Sequence, residues 1–187
     1  MKGKLRQQYA ELRNGISDKL KKDSVIAASF LNSDFYKGAD EILCYYPIKS
    51  EIGTLEIISK AIEDGKKLLL PVCHENKGVM QFYRIKDFTE LKSGKYGIQE
   101  PDTEKCKALD CFTNAVCIVP AYAYDLRGFR LGYGGGYYDR FLADFKFTTI
   151  GLCYDELVAD VLPKDKFDIK VDYIITDMRV IKTTEED

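Results

Sequence analysis

Apolar and polar positions alternate along this chain in two rhythms. Leu5, Tyr9 and Leu12 recur at helical spacing within residues 2–14, and Ser17 is placed to cap a second helix running to about Asn32. After Gly38 the rhythm shortens into continuous apolar runs: EILCYYP at 41–47, KKLLLPVC at 66–73, AVCIVPAYAYD at 115–125, TTIGLCYD at 148–155 and VDYIITD at 171–177. Such runs are expected of strands buried on both faces. Between them, SEIGTLEIISKAIEDG puts Leu55, Ile58 and Ile62 on one helical face and stops at Gly65, and YYDRFLADF at 137–145 predicts a further helix. Strands alternating with amphipathic helices predict an α/β fold, a three-layer sandwich around a mostly parallel central sheet.

Two stretches carry a weaker signal. GVMQFYRI at 78–85 predicts a more exposed strand, and TELKSGKYGIQEP at 89–101 predicts a loop that turns at its glycines. The 187 residues suit a single domain, 1–187, without repeats or low-complexity tracts, and with a frayed acidic tail, TTEED. No apolar run approaches the roughly 18 residues of a membrane span. The N-terminus lacks the apolar region of a signal peptide, so the expectation is a soluble, cytoplasmic protein without a membrane partner.

The formal net charge of −2 and pI near 5.6 give no broad basic footprint, so no nucleic-acid partner is expected. Six cysteines form no C-x-x-C pair, and Cys44, Cys73, Cys117 and Cys153 lie in or beside apolar runs, which predicts buried, reduced thiols. The single histidine, His74, has only Cys73 beside it, too little for a zinc site. The oligomeric expectation is a monomer or small homo-oligomer.

The chemistry concentrates in GFRLGYGGGYYDR, residues 128–140, where five glycines fall within nine positions before a helix. In a parallel sheet, ligands bind beyond the carboxyl ends of strands, where this segment lies. Glycines let backbone N–H groups face a ligand, and a following helix start favours phosphate. Arg130 and Arg140 flank the segment. Its spacing matches neither G-x-x-x-x-G-K-[ST] nor G-x-G-x-x-G. Two readings stand on the residues alone: a phosphate cradle, or a tight surface loop whose glycines only satisfy positive φ. Asp139 likewise suits either a magnesium ion shared with phosphates or the helix dipole.

The stretch P-A-Y-A-Y-D-L-R-G-F-R-L-G-Y-G-G-G-Y-Y-D-R, 120–140, resembles the signature of the 5-formyltetrahydrofolate cyclo-ligase family. K-x-x-L-R at Lys2 to Arg6, Y-P-x-x-x-E-I-x-T at Tyr46 to Thr54, and G-I-Q-E-P at 97–101 agree in order and spacing, so the resemblance spans nearly the whole chain. It implies a fold shared with sugar-phosphate isomerases and CoA transferases. It also implies an ATP- and Mg2+-dependent conversion of 5-formyltetrahydrofolate to 5,10-methenyltetrahydrofolate with release of ADP and phosphate.

By the same resemblance, Arg130, Gly132, Tyr133, Gly134, Gly135, Gly136 and Tyr137 line the ATP phosphates, joined by Lys2 and Arg6 of the first helix. Arg130, Tyr137 and Asp139 are the catalytic set, and Asp139 with Asp172 holds the magnesium ion. Tyr46, Glu51, Tyr137 and Tyr138 contact the folate, Glu51 through the donor groups of the pterin. Lys49, Lys92 and Lys95 are open between meeting a polyglutamate tail and facing water. Many relatives carry basic residues where this chain has Tyr133 and Gly135, which puts the burden of charge neutralisation on Arg130, Arg140, Lys2, Arg6 and the metal. The rivals are an isomerase or transferase on the same fold, and a folate-binding module without turnover.

Overall fold

The computed structural model describes residues 2–74, 78–94 and 98–184. Helices α1 (Lys2–Gly15), α2 (Lys19–Asn32) and α3 (Asp34–Gly38) lead into strand β1 (Glu41–Leu43), and helix α4 (Leu55–Glu63) returns the chain to β2 (Lys67–His74). Then come β3 (Val79–Ile85), β4 (Leu91–Ser93), β5 (Gln99–Pro101), β6 (Lys107–Leu109), β7 (Ala115–Val119) and β8 (Tyr124–Asp125). Helix α5 (Tyr137–Leu142), β9 (Thr148–Leu152), β10 (Val158–Ala159), β11 (Tyr173–Ile175) and β12 (Val180–Lys182) complete the order.

Eight strands form the main sheet in the order β12-β11-β9-β7-β1-β2-β3-β6. The pairs β11–β9, β9–β7, β7–β1 and β1–β2 are parallel, while β12, β3 and β6 pair antiparallel at the flanks. The fold is therefore α/β with a mostly parallel centre and antiparallel edges. All three residues of β1 and all five of β7 are buried, as apolar runs without alternation require. Glu41 is buried in β1 because both oxygens are met, Oε1 by Lys67 Nζ at 3.0 Å and Oε2 by the Thr113 N–H at 3.0 Å.

The strand order fixes where a ligand can sit. From β1 the chain steps through α4 to β2 in one direction across the sheet, whereas from β7 it steps through α5 to β9 in the other. Right-handed crossovers then carry α4 and α5 to opposite faces, and the connections leaving the adjacent strands β1 and β7 part at their carboxyl ends. That parting opens a crevice between residues 44–54 and 120–136.

Several local expectations change. GVMQFYRI forms β3, which is more exposed than β7 as expected, with Val79 at 46%; Phe82 is nevertheless fully buried, its ring centre 4.7 Å from that of Phe141 in α5. Within 89–101, β4 and β5 pair as an antiparallel hairpin where a loop was expected, from Leu91↔Pro101 to Ser93↔Gln99. Asp18, at φ 53, precedes α2 in place of the Ser17 cap. Cys44, Cys117 and Cys153 are buried free thiols, and burial pushes the Cys44 and Cys153 thiols up to about 12. Cys73, by contrast, is exposed. Lys95, Gly97 and the last three tail residues lie outside the described residues.

Candidate functional site

After Pro120 the chain makes a small hairpin before it reaches the glycines. Tyr122 N–H donates to the Leu131 carbonyl at 2.8 Å and Leu131 N–H to Ala123 at 2.9 Å. Asp125, fully buried, closes the tip: its carboxylate accepts from the N–H groups of Arg127, Phe129 and Leu162 and from the Arg127 guanidinium at 2.6 Å. Much of the D-L-R-G-F stretch is thus scaffold, which returns Arg130 and the glycines to the crevice.

There the loop 132–136 borders a cavity of about 400 Å³ at the end of β7. Gly134 and Gly136 hold φ of +98 and +66, the left-handed region where side chains are strained. A Cβ on Gly134 would also lie 3.2 Å from the Arg6 guanidinium carbon. Arg6 reaches the loop from α1, its Nε donating to the Gly132 carbonyl at 2.7 Å. Lys2 lies one turn earlier and pairs with Asp165 at 2.7 Å and Asp168 at 2.5 Å. Burial works against the Lys2 charge, but these two carboxylates outweigh it and hold its pKa above the usual lysine value.

Asp139 enters from the first turn of α5. Its Oδ1 accepts from Arg130 Nη2 at 2.6 Å and from the Ile169 N–H at 3.1 Å, leaving Oδ2 with no hydrogen bond among the described residues. Asp168 sits one residue before that N–H. Burial raises its carboxyl pKa, but the Lys2 ammonium and the Asp165 N–H overcome this and hold it below the usual aspartate value.

The expected set is only partly brought together. Lys2, Arg6, Arg130, Gly132, Tyr133, Gly134, Gly135, Gly136, Tyr137, Tyr138 and Asp139 all border the cavity. Asp172 does not. Its Oδ2 accepts from Thr149 N–H at 2.7 Å and Thr149 Oγ1 at 2.8 Å, which ties the start of β11 to β9, and it faces a separate depression. Asp168, four residues earlier in D-I-K-V-D, stands in the cavity where Asp172 was expected, beside Asp165. No sequence signal singled out Asp168: its place beside Asp139 is set by the neighbouring Ile169 N–H, which only the fold brings to that carboxylate.

Arg140 also turns away. Its Nε donates to the Gly78 carbonyl at 2.8 Å and Nη2 to the Gly135 carbonyl at 2.9 Å, with the guanidinium 5.1 Å from the Tyr137 ring centre. It braces the glycine loop from outside and borders a second cavity of about 630 Å³, walled by Phe82, Phe112, Phe141, Phe145 and Phe147.

Glu51 is not among the residues that line the cavity. Its Oε2 accepts from the Ile48 N–H at 2.9 Å. Burial raises its pKa, against the opposing pull of Tyr133, Ile48 and Arg13. Tyr46 is half-buried against the core and is not part of the cavity wall. Lys92 pairs with Asp102 at 3.0 Å, and Lys49 occupies a left-handed turn at φ 51.

The arrangement suits an anionic ligand with a divalent ion. Three cations and a glycine backbone line one cavity with acidic groups from two segments. No cluster of three or more metal-ligating side chains occurs among the described residues. Magnesium fits that pattern, since it typically takes one or two protein carboxylates and fills its sphere with phosphate oxygens and water. Tyr138 gives a second indication: its side chain borders the cavity, and its buried hydroxyl has no hydrogen-bond partner among the described residues. A buried hydroxyl without a partner costs roughly 1 to 3 kcal/mol, so a polar ligand atom there would be favoured.

Comparison with known proteins agrees with this chemistry. A model of the 5-formyltetrahydrofolate cyclo-ligase family matches residues 1–177. The chain is 32% identical over 149 residues to a probable 5-formyltetrahydrofolate cyclo-ligase of Schizosaccharomyces pombe, covering 72% of each chain. It is 32% identical over 143 residues to the 5-formyltetrahydrofolate cyclo-ligase of Haemophilus influenzae, covering 74% of this chain and 76% of the relative. Among solved structures, 5,10-methenyltetrahydrofolate synthetase of Aquifex aeolicus superposes over 100% of this chain and 94% of its own, with TM-score 0.82 and 26% identity. The Mycoplasma pneumoniae synthetase, at 23% identity and TM-score 0.68, shares the fold over 94% of this chain and 98% of its own. With the signature, the cradle and the whole-length match in agreement, this chain belongs to the 5-formyltetrahydrofolate cyclo-ligase family.

Proposed function

We propose that this protein is a 5-formyltetrahydrofolate cyclo-ligase, using ATP to close 5-formyltetrahydrofolate to 5,10-methenyltetrahydrofolate, with ADP and phosphate as the other products. The observation that carries this reading is the convergence of Arg6, Lys2 and the glycine loop on one cavity with Asp139 and Asp168. The formamide oxygen is a poor leaving group. Transfer of the γ-phosphoryl group to it makes it a good one; nitrogen 10 then attacks the formyl carbon, and phosphate departs as the ring closes. Such a reaction needs alignment and neutralised charge more than a protein nucleophile.

In this reading the N–H groups of residues 132–136 and the cations Lys2 and Arg6 hold the phosphates. Asp139 and Asp168 would hold magnesium, which supplies positive charge to the phosphate oxygens. Arg130, whose side chain is 5% exposed, orients Asp139 through their 2.6 Å pair. Tyr137 flanks the phosphates, and Glu51 and Tyr138 meet the folate, Tyr138 through its unpaired hydroxyl. Tyr46, packed against the core off the cavity wall, has no contact role in this reading, and Tyr133 and Gly135 leave the phosphate charge to Lys2, Arg6 and the metal. The setting is the cytoplasm, with the protein acting as a monomer or small homo-oligomer.

The test follows the near-ultraviolet absorbance that rises as the methenyl product forms, with purified protein, 5-formyltetrahydrofolate and magnesium, with and without ATP. Product only with ATP is the expected result. Folate binding without product would favour a storage or sensing module; turnover without ATP would overturn the ligase reading.

A further inference from the structure

Behind the glycine loop stands one buried cation. Arg13, in the last turn of α1, is only 4% exposed and does not line the cavity. Among the described residues no carboxylate lies at salt-bridge distance from it; three neutral oxygens take up its guanidinium. Nε donates to Ser50 Oγ at 3.1 Å, and Nη1 donates to the Ala121 carbonyl at 3.1 Å and the Tyr133 hydroxyl at 3.2 Å. A buried charge must be hydrogen-bonded, so each of these oxygens is fixed by the guanidinium it serves. The Tyr133 ring packs 4.7 Å from that of Tyr122, and the guanidinium carbon lies 4.5 Å from the Tyr122 ring centre.

Arg13 is thus one of three arginines that hold the loop 132–136. Arg6, seven positions earlier and close to two turns away on α1, donates to the Gly132 carbonyl at 2.7 Å. Arg13 takes the hydroxyl of the next residue, Tyr133, and Arg140 takes the Gly135 carbonyl at 2.9 Å. All three bonds go to oxygens of the loop. Its N–H groups are left over: none of those of residues 132–136 donates to a backbone carbonyl among the described residues. Arg13 also reaches Ser50 in the connection after β1 and Ala121 in the connection after β7, so one side chain ties the loop to both sides of the crevice.

We propose that Arg13 and Tyr133 are positioning residues for the nucleotide phosphates: Arg13 anchors the Tyr133 hydroxyl and thereby holds the loop with its free N–H groups toward the cavity. The side chain that stands where many relatives carry a basic residue supplies an anchor in place of a charge. This rests on the ATP reading given above. Gly134 and Gly136 hold left-handed φ, and an unanchored glycine chain would sample many other conformations. A donor set fixed beforehand binds a phosphate chain better than one ordered on its arrival.

The experiment measures dissociation constants for magnesium-ATP and for 5-formyltetrahydrofolate, each alone, by calorimetry on the full chain. Tyr133→Phe removes only the hydroxyl and should weaken ATP binding about fivefold, part of what a hydrogen bond to a charged group contributes, because the residue acts through the loop. Folate affinity should stay within about twofold, and KM for ATP should rise while kcat at saturating ATP holds. Arg13→Lys keeps the positive charge but cannot fork across three oxygens, and should weaken ATP binding in the same direction. In that background Tyr133→Phe should add less than about twofold, because the anchor is already lost. If Arg13→Lys fails to fold, the split between ATP and folate in Tyr133→Phe decides alone. Unchanged ATP affinity in Tyr133→Phe would overturn the proposal, as would an equal loss in both backgrounds, the mark of a hydroxyl that touches the nucleotide itself. So would a matching loss of folate affinity, the mark of a merely structural role. Wild-type protein that binds no ATP would instead remove the nucleotide reading, and the inference with it.

Discussion

The two cavities around Tyr137 differ in a way that separates space from chemistry. The larger, about 630 Å³, is walled by five phenylalanines, with Arg140 on its rim already committed to two carbonyls. The smaller, about 400 Å³, holds Lys2, Arg6 and Arg130 together with Asp139, Asp165 and Asp168. Volume alone would favour the first. Fixed charges, left-handed glycines and an unpartnered hydroxyl mark the second, at the point where the connections leaving β1 and β7 diverge. The aromatic cavity is a seam where α5 meets the antiparallel flank, with Phe82 and Phe141 ring centres 4.7 Å apart.

The strongest test of this contrast is in the smaller cavity. Asp139→Asn should lower ATP-dependent turnover by about 10²-fold or more, as expected when charge stabilisation at a transferring phosphoryl group is lost. Asp168→Asn should fall in the same class. Asp172→Asn, cut off from the cavity by Thr149, should retain most turnover and lose stability instead. Steady-state rates against magnesium concentration read all three; a full loss from Asp172→Asn with none from Asp168→Asn would reverse the assignment.

In the larger cavity the expected effect is on folding. Phe141→Ala should cost about 2 kcal/mol, less than the ~3 to 5 of a fully buried phenylalanine because Phe141 is half-buried. At roughly 2 to 4 °C per kcal/mol for a domain of this size, the melting temperature should fall by about 4 to 8 °C. Turnover measured well below that temperature should persist. Lost turnover in a folded variant would make the aromatic seam part of the site.

The smallest effect concerns Glu51. Its raised pKa, caused first by burial, means the folded state holds a proton more tightly than the unfolded chain. The cost is absent below the ordinary value of 4.5, grows as pH rises to the shifted value, and is complete above it. Glu51→Gln should therefore be no less stable than wild type at neutral pH, with any advantage vanishing below about pH 4.5 in denaturant titrations. Its folate affinity should be lower throughout neutral pH.

The outline of this fold was legible because its buried strands carry unbroken apolar runs. Ile42, Leu68, Val116 and Ile150 are each at or below 1% exposure. The antiparallel flank was less legible. GVMQFYRI mixes polar and apolar positions, Phe82 is buried against Phe141 of α5, and the three residues of the flanking strand β6 carry almost no signal of their own. The glycine loop was readable as a motif, but Arg140 and Asp172 were not, since each is decided by a distant partner: Gly78 for one, Thr149 for the other. Arg13 had no motif at all. Its position on α1 takes meaning only when Ser50 and Ala121 are brought to it.

Lys2 and Asp168 stand 166 positions apart in the chain, and their contact closes one side of the smaller cavity. A growing polypeptide can make the glycine loop well before it can make that closure. Because such distant pairings are slow to form, the complete cavity should arrive near the end of folding. A half-folded chain therefore lacks the Lys2–Asp168 side of the cavity even when its glycine loop is already formed.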